Sequence, residues 1–483
     1  MDAEQIRRLE PQLADYLERF GRCFSRRDTR AHFPVYVRGQ LSELPRKSVE
    51  PMALAAGTPV RTLQEFLTHL TWQEDAMRQE VAHIVAEEHA DEESVGLIDE
   101  TGWVKKGEQT PGVQRQYCGS VGKKENSIVT VHLGYASGDF HCLLDGDLFL
   151  PESWDADRPR CQRAGIPDEV RYRPKTEIAL ELYDRAVASG VHFAWLTFDE
   201  WYGRNLPFLR ALQARQQKFV GEIPRDFRAW IKPPLVTTRP FHRSRRGRGR
   251  KVPRLVAGGP KAQTVEQLAQ SHPALSAQPW QTWRIKDTHK GPLVWQVKHV
   301  LIYIKDERGL PEGPYHLLVC RQPLTGEIKY FLSNASTDTA VKKLLRVAFG
   351  RWRIERCFED GKGEVGLDHW EGRRWLGLKR HLILTTVSYL FLAKTCQRLR
   401  GEKSGMDGLP GLRGRGRLDP ELALGTPGPR AAAPTHRPPH PIPPAAQPPR
   451  PRLPHANDHP QTTPRRNQVD QPPMLRRKHE LAL

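Results

Sequence analysis

The chain has 483 residues, with 75 Lys and Arg against 56 Asp and Glu, and a formal net charge of +19. That length holds two or three domains with a sizeable core, and that charge favours a polyanionic partner. No apolar run approaches the roughly 20 residues that span a bilayer, the opening MDAEQIRRLE has no signal-peptide pattern, and Cys23, Cys118, Cys142, Cys161, Cys320, Cys357 and Cys396 show no paired spacing. A membrane partner, a zinc site and a disulfide framework are therefore not expected, and a cytoplasmic protein with reduced thiols is.

Residues 1–93 read as an N-terminal helical region. Ile6, Leu9, Leu13, Tyr16 and Phe20 recur at helical spacing, as do Leu63, Phe66, Leu67 and Leu70. Strand and helix patterns alternate over residues 94–223. Strands are expected at residues 94–99, 127–135 and 140–149, a helix at 175–188, a strand ending at Asp199, a helix at 206–215 and a strand at 218–223. Three strands, helix, strand, helix, strand is the order of an α/β, ribonuclease-H-like core. That fold delivers one acid from its first strand and another from its fourth, where Asp99 and Asp199 stand. Glu100 and Glu200 are second choices, because successive strand residues point to opposite faces and only one of each pair can face a common site.

Residues 224–335 separate these aspartates from the next acidic motif. They contain β-type runs at residues 293–304, 315–320 and 328–332, together with Trp280, Trp283 and Trp295. The densest basic run, residues 239–254 (RPFHRSRRGRGRKVPR), also lies here. With glycines interleaved and no apolar stripe it reads as a loop. Arg243, Arg245, Arg246, Arg248, Arg250 and Lys251 are then candidate contacts to the phosphates of a polyanionic partner, set against a solvated surface loop.

Helix patterning returns over residues 336–400. A helix advances about 100° per residue, so Arg351, Glu355 and Lys362, at offsets 0, +4 and +11, fall within roughly 40° of one another. The bland reading is a solvated face with an i,i+4 ion pair. Two strand-end aspartates and a helical glutamate instead form the carboxylate triad of a two-metal phosphoryl-transfer site. Glycines at 361, 363 and 366 weaken the helix near Lys362.

With these residues in hand, the chain resembles bacterial insertion-sequence transposases of the DDE superfamily with a Tyr-x2-Arg-x3-Glu-x6-Lys signature. Arg351, Glu355 and Lys362 match in type and spacing, while Ala348 stands at the tyrosine position. Further likeness runs through residues 98–102 (IDETG), 115–119 (RQYCG), 150–154 (LPESW) and 366–371 (GLDHWE), covering roughly residues 30–400. The resemblance implies a β-rich insertion domain at 224–335, with the core completed by residues 336–400. It implies catalytic and metal-binding roles for Asp99, Asp199 and Glu355, which would hold two Mg²⁺ ions, replaceable by Mn²⁺. It implies phosphate contacts from Arg351 and Lys362. The implied partners are double-stranded DNA, both element terminal repeats and target, and a second subunit in a synaptic homodimer, in the bacterial nucleoid. The implied chemistry is cleavage at the element ends followed by strand transfer. In relatives the signature tyrosine assists a hairpin step, an insertion-domain tryptophan stacks on a flipped base, and the N-terminal helices bind element ends; Arg38, Arg46 and Lys47 are candidates for the last role.

From residue 401 the composition changes. Eighteen of the 41 prolines fall in residues 401–483, which contain no Phe, Trp or Tyr and carry 13 Lys and Arg against 7 Asp and Glu. Such a segment cannot bury enough apolar surface to offset its ordering entropy. It reads as a disordered tail, either a frameshifted segment or a flexible basic arm. Alternative functions are a ribonuclease-H-like nuclease without strand transfer and an inactive DNA-binding remnant. A glycosidase would need neither the basic chain nor cations flanking the glutamate.

Overall fold

Five helices precede the first strand: α1 (Ala3–Glu18), α2 (Arg27–Leu41), α3 (Val49–Ala55), α4 (Val60–Thr68) and α5 (Glu74–Glu88). The computed structural model describes residues 3–238, 252–288 and 291–406, all within one unit, Met1–Leu409. The basic run from Arg243 to Lys251 and the proline-rich tail lie outside the described residues.

The core strands are β1 (Val95–Val104), β2 (Gln114–Cys118), β3 (Lys123–Ser137) and β4 (Phe140–Leu148). Two short helices, α6 (Glu152–Asp155) and α7 (Arg158–Ala164), lead to α8 (Lys175–Ala188). Next come β5 (Trp195–Phe198), α9 (Glu200–Gly203), α10 (Leu206–Ala214) and β6 (Phe219–Ile223). β3 pairs antiparallel with β1 and with β4, while β1, β5 and β6 run parallel. The spatial order β4-β3-β1-β5-β6 is that of a ribonuclease-H-like core. Among the core strands, the one the sequence reading passes over is β2, whose residues 114–118 are too polar and short to show a buried period. It extends β3 beyond the end of β1.

β7 (Arg228–Ala229), β8 (Val236–Thr237), β9 (Arg254–Leu255) and β10 (Gln263–Thr264) make two short pairs, β7 with β10 and β8 with β9. Helices α11 (Val265–Ser271) and α12 (Pro273–Ser276) lead into β11 (Gln281–Thr288), β12 (Gly291–Lys305), β13 (Pro311–Arg321) and β14 (Ile328–Ser333). These last four strands build no sheet of their own. β14 pairs antiparallel with β6, with Ser333 opposite Val220 and Tyr330 opposite Ile223, so the sheet grows to ten strands. The pairing covers what would otherwise be an open edge of the core.

The chain ends its described part with α13 (Val341–Ala348), a 3-10 turn over Phe349–Arg351, α14 (Trp352–Val365) and α15 (Trp375–Met406). Gly366 closes α14 in the left-handed region at φ 70°, and the Leu367 amide returns to the Gly361 carbonyl. That bond pattern satisfies a terminal carbonyl and favours glycine at this position. The glycines expected to weaken this helix therefore leave it intact to Val365.

The N-terminal helices wrap α15. Tyr16 donates to the Val387 carbonyl, Tyr36 meets His381 at 2.9 Å, and Gln40 bonds both Thr385 and Ser388. Arg380, 4% exposed, donates to Glu74 and to the carbonyls of Phe66 and Leu70. A second charged knot fastens β4. Asp145 is gripped by Arg78 and Arg185, and Asp147 by Arg173 with Lys379 at 3.9 Å. Burial opposes ionisation of Asp147, but the surrounding cations overcome it and hold its carboxyl at about 2. Buried carboxylates persist where several cations share them.

Candidate active site

β1 presents Asp99 and Glu100 to opposite faces. Asp99, 8% exposed, accepts from the Arg351 guanidinium at 2.7 Å, whereas Glu100 turns to Lys175 on α8 at 2.6 Å. The pleat makes this division. Asp199 sits one residue past β5 as the N-cap of α9, its Oδ1 accepting from the amides of Trp201 and Tyr202. Glu200 is spent on an exposed pair with Arg204. Ile98 lies opposite Phe198 in the last step of the parallel β1–β5 pairing, so both aspartates stand just past the end of that pairing, Asp99 within β1 and Asp199 after β5.

α14 brings the third group of residues over β1. Arg351, immediately before the helix, donates from one nitrogen to Asp99 and from another to Glu355 Oε1, each at 2.7 Å. Lys362, near its other end, donates to the Gly102 carbonyl on β1 at 3.2 Å. Arg351 and Lys362 thus reach the same strand three residues apart. Ala348 is buried at the end of α13.

The electrostatics follow from this crowding. Burial raises the Asp99 carboxyl pKa; Arg351 pulls it down and Asp199 pushes it up again. Burial also raises Glu100, against the pull of Lys175. Tyr202 is fully buried, its hydroxyl has no hydrogen-bond partner among the described residues, and its ionisation is opposed by burial and then by Glu100, Asp99 and Asp199. It is a functional candidate the sequence reading misses; its one signal is its place three residues after Asp199. Gly203 follows for a steric reason. A Cβ there would come within 1.8 Å of the Glu222 carbonyl on β6, so only glycine lets α9 lie this close to the sheet.

The tryptophans singled out between the acids are core or half-buried. Trp295 is 5% exposed and packs on Phe349 with ring centroids 4.9 Å apart, while Trp280 lies under Arg321 and Lys298. Among the described residues, the exposed tryptophans are Trp201 (40%), two residues after Asp199, and Trp352 (39%), next to Arg351. Lys286 on β11 lies 3.4 Å from the Trp352 ring centroid. Of the cations considered in the N-terminal region, Arg38 pairs with Glu10 and Arg46 with Glu371. Lys47 is buried and donates to the carbonyls of Gln40, Ser42 and Glu364, which makes it a structural clasp.

Residues 19–292 match the family described as DDE superfamily endonuclease, a span that includes Asp99 and Asp199. The chain belongs to this family. It is also 29% identical over 208 residues to a protein described as a probable transposase for insertion sequence element IS701 from Microchaete diplosiphon. That alignment covers 40% of this chain and 51% of the relative, so the chain spans about half the length of the curated relative it matches.

The DDE superfamily generally uses divalent metal ions. Among the described residues, no three His, Cys, Asp or Glu side chains stand together as a ready metal cage. Arg351 pairs with both Asp99 and Glu355, and the Glu355 side chain is 55% exposed. The donor set nevertheless fits a hard divalent cation in kind. Its oxygens are carboxylates, and the orphan Tyr202 hydroxyl stands among the same acids. Among the described residues, no helix is long and apolar enough to cross a membrane.

Proposed function

We propose that this DDE endonuclease is an insertion-sequence transposase, cutting DNA at the element ends and joining the freed 3′ ends to target DNA by phosphoryl transfer. The observation that carries the reading is the Asp99–Arg351–Glu355 bridge beside Asp199, just past the end of the parallel β1–β5 pairing. Asp99, Asp199 and Glu355 would hold two Mg²⁺ ions, with Mn²⁺ as a substitute. Bound there, such ions activate the attacking oxygen and stabilise the leaving one.

The chain's own residues supply position and charge. Arg351 is the mobile part: released from Asp99 and Glu355, its fork binds a phosphate in a two-point grip. Lys362, anchored on β1, adds a second cation farther along the same strand. Together they fix the backbone in line with the attacking oxygen. Asp199 is held in orientation by the two α9 amides, so it needs little reordering. A homodimer pairing two element ends, and duplex DNA as the partner, belong to the same reading, as does phosphate contact by the Arg243–Lys251 run.

The test is incubation of the full-length chain with a plasmid carrying the element's terminal repeats, with Mg²⁺ and with a chelator. Metal-dependent nicks at the repeat ends together with joined products support transposition. Nicks without joined products would reduce the activity to a nuclease, and no cleavage in any metal would sink the reading.

A further inference from the structure

The motif RQYCG, residues 115–119, takes no part in the acidic site. It forms β2 and the turn after it, paired with the start of β3: Gln114 lies opposite Ser127, Arg115 opposite Asn126 and Tyr117 opposite Lys124. β1 stops pairing with β3 at Val104 opposite Ser127, so the β2–β3 pair runs on past the end of β1. The projection leaves from the carboxyl end of β1, five residues beyond Asp99. Five residues from Asp99 to Val104 and four from Ser127 to Lys123, at ~3.3 Å each, give the arm a reach of roughly 30 Å from the acid.

The arm is braced at its root and exposed on its outer face. Asn126 bonds the carbonyls of Lys105 and Gly107, Gln116 bonds the Ser127 carbonyl, and Lys362 holds Gly102. A Cβ on Gly102 would meet the Ile128 carbonyl at 3.0 Å and Cys118 Sγ at 3.3 Å, so strand and arm are tightly apposed. On the outer face Arg115, Tyr117 and Lys124 are exposed, Tyr117 by 62%; among the described residues no side-chain hydrogen bond holds any of the three, and Arg115 feels the Glu125 carboxylate. A hairpin that turns an exposed aromatic ring and three cations, Arg115, Lys123 and Lys124, to solvent with Glu125 as their one nearby carboxylate among the described residues suits a ligand that is anionic and offers flat or sugar surfaces.

We propose that this β2–β3 arm is a DNA-contacting element, with Arg115 and Lys124 on backbone phosphates and Tyr117 packed against the sugar or base between them. The duplex it grips is the flank of the DNA delivered to Asp99 and Asp199, because arm and acids share one end of the sheet. This rests on the phosphoryl-transfer reading above, and the alternative occupant, a second copy of the chain, is an outcome of the test.

The experiment uses the full-length chain and a labelled random-sequence duplex, titrated across a salt series, since phosphate contacts do not depend on sequence. The Arg115→Gln/Lys124→Gln variant is expected to flatten the slope of log affinity against log salt by about two. Tyr117→Ala is expected to weaken binding roughly tenfold while Tyr117→Phe stays near the unmodified chain. A benzophenone side chain at position 117 should then cross-link to DNA. An unchanged slope and affinity in the arm variants, or cross-linking of position 117 to a second protein chain, overturns the proposal. If the unmodified chain binds and cuts DNA while the arm variants match it, the arm alone is refuted; if it neither binds nor cuts, the functional reading falls with it.

Discussion

Arg351 reaches across 252 residues of sequence to place one guanidinium nitrogen 2.7 Å from Asp99 Oδ2, while another holds Glu355 at the same distance. One cation thereby ties the first strand of the core to α14. Arg351→Gln should cost about 3 kcal/mol of stability, because it leaves a buried carboxylate without its counter-charge, and should lower cleavage at least 100-fold. Arg351→Lys keeps a charge but not the two-carboxylate fork, and should fall between. Urea denaturation and a cleavage assay on the same preparations check both effects; an inert Arg351→Gln would mean that the bridge is idle.

The acids divide into those that face the site and those spent elsewhere. Asp99→Asn, Asp199→Asn and Glu355→Gln should each abolish metal-dependent cleavage while leaving duplex binding largely intact. Glu200, paired with Arg204, and Glu359, paired with Arg356, are the matched controls. Their glutamine variants should cut normally. Normal cutting by Glu355→Gln together with failure of Glu359→Gln would move the third acid by one helical turn.

Gly203→Ala tests the seat of Asp199 without touching a charge. The new methyl would collide with the Glu222 carbonyl, a backbone atom that cannot rotate away. We expect α9 to lift, Asp199 to lose its amide orientation, and cleavage to drop by at least tenfold, at a cost of about 2–3 kcal/mol. Wild-type cleavage and stability in this variant would show that the junction has more slack than the backbone allows.

Arg380 is the clasp between α15 and the N-terminal helices. Arg380→Ala should destabilise the chain by about 3 kcal/mol or more, since it strands Glu74 and buried carbonyls of Phe66 and Leu70. Limited proteolysis should then release the N-terminal helices first. If cuts appear first elsewhere, these helices do not depend on this residue.

Acid should loosen the same interface through His381. Its two nitrogens meet Tyr36 and the Leu367 carbonyl, and burial holds its pKa down to about 4, with Lys105 and His369 nearby opposing a further positive charge. A free histidine titrates near 6.5, so between the two values the unfolded chain binds more protons than the folded one. Stability is therefore complete above about pH 6.5 and is lost as pH falls towards 4, by on the order of 3 kcal/mol for this group. His132 and His299, also held to about 4, act in the same sense. The urea midpoint should fall between pH 7 and about pH 4.5, and fall less in His381→Gln, which has no such proton to gain.

The sequence by itself carried the features set by local periodicity. The α8 helix lies at the residues its apolar spacing names, the strands before Asp199 and around 127–135 and 140–148 lie where alternation puts them, and the Arg351–Glu355 offset is a helical one. Those signals are local because pleat and helix repeat over two to four residues. Only the tertiary structure decided which of two adjacent acids turns to which face, since Asp99 or Glu100 depends on where α14 and α8 pack. It alone joined β14 to β6, because strand pairing over a hundred residues leaves no mark in either strand. It also sorted the tryptophans: burial depends on neighbours brought from far along the chain, which is why Trp295 is core and Trp201 faces solvent beside Asp199.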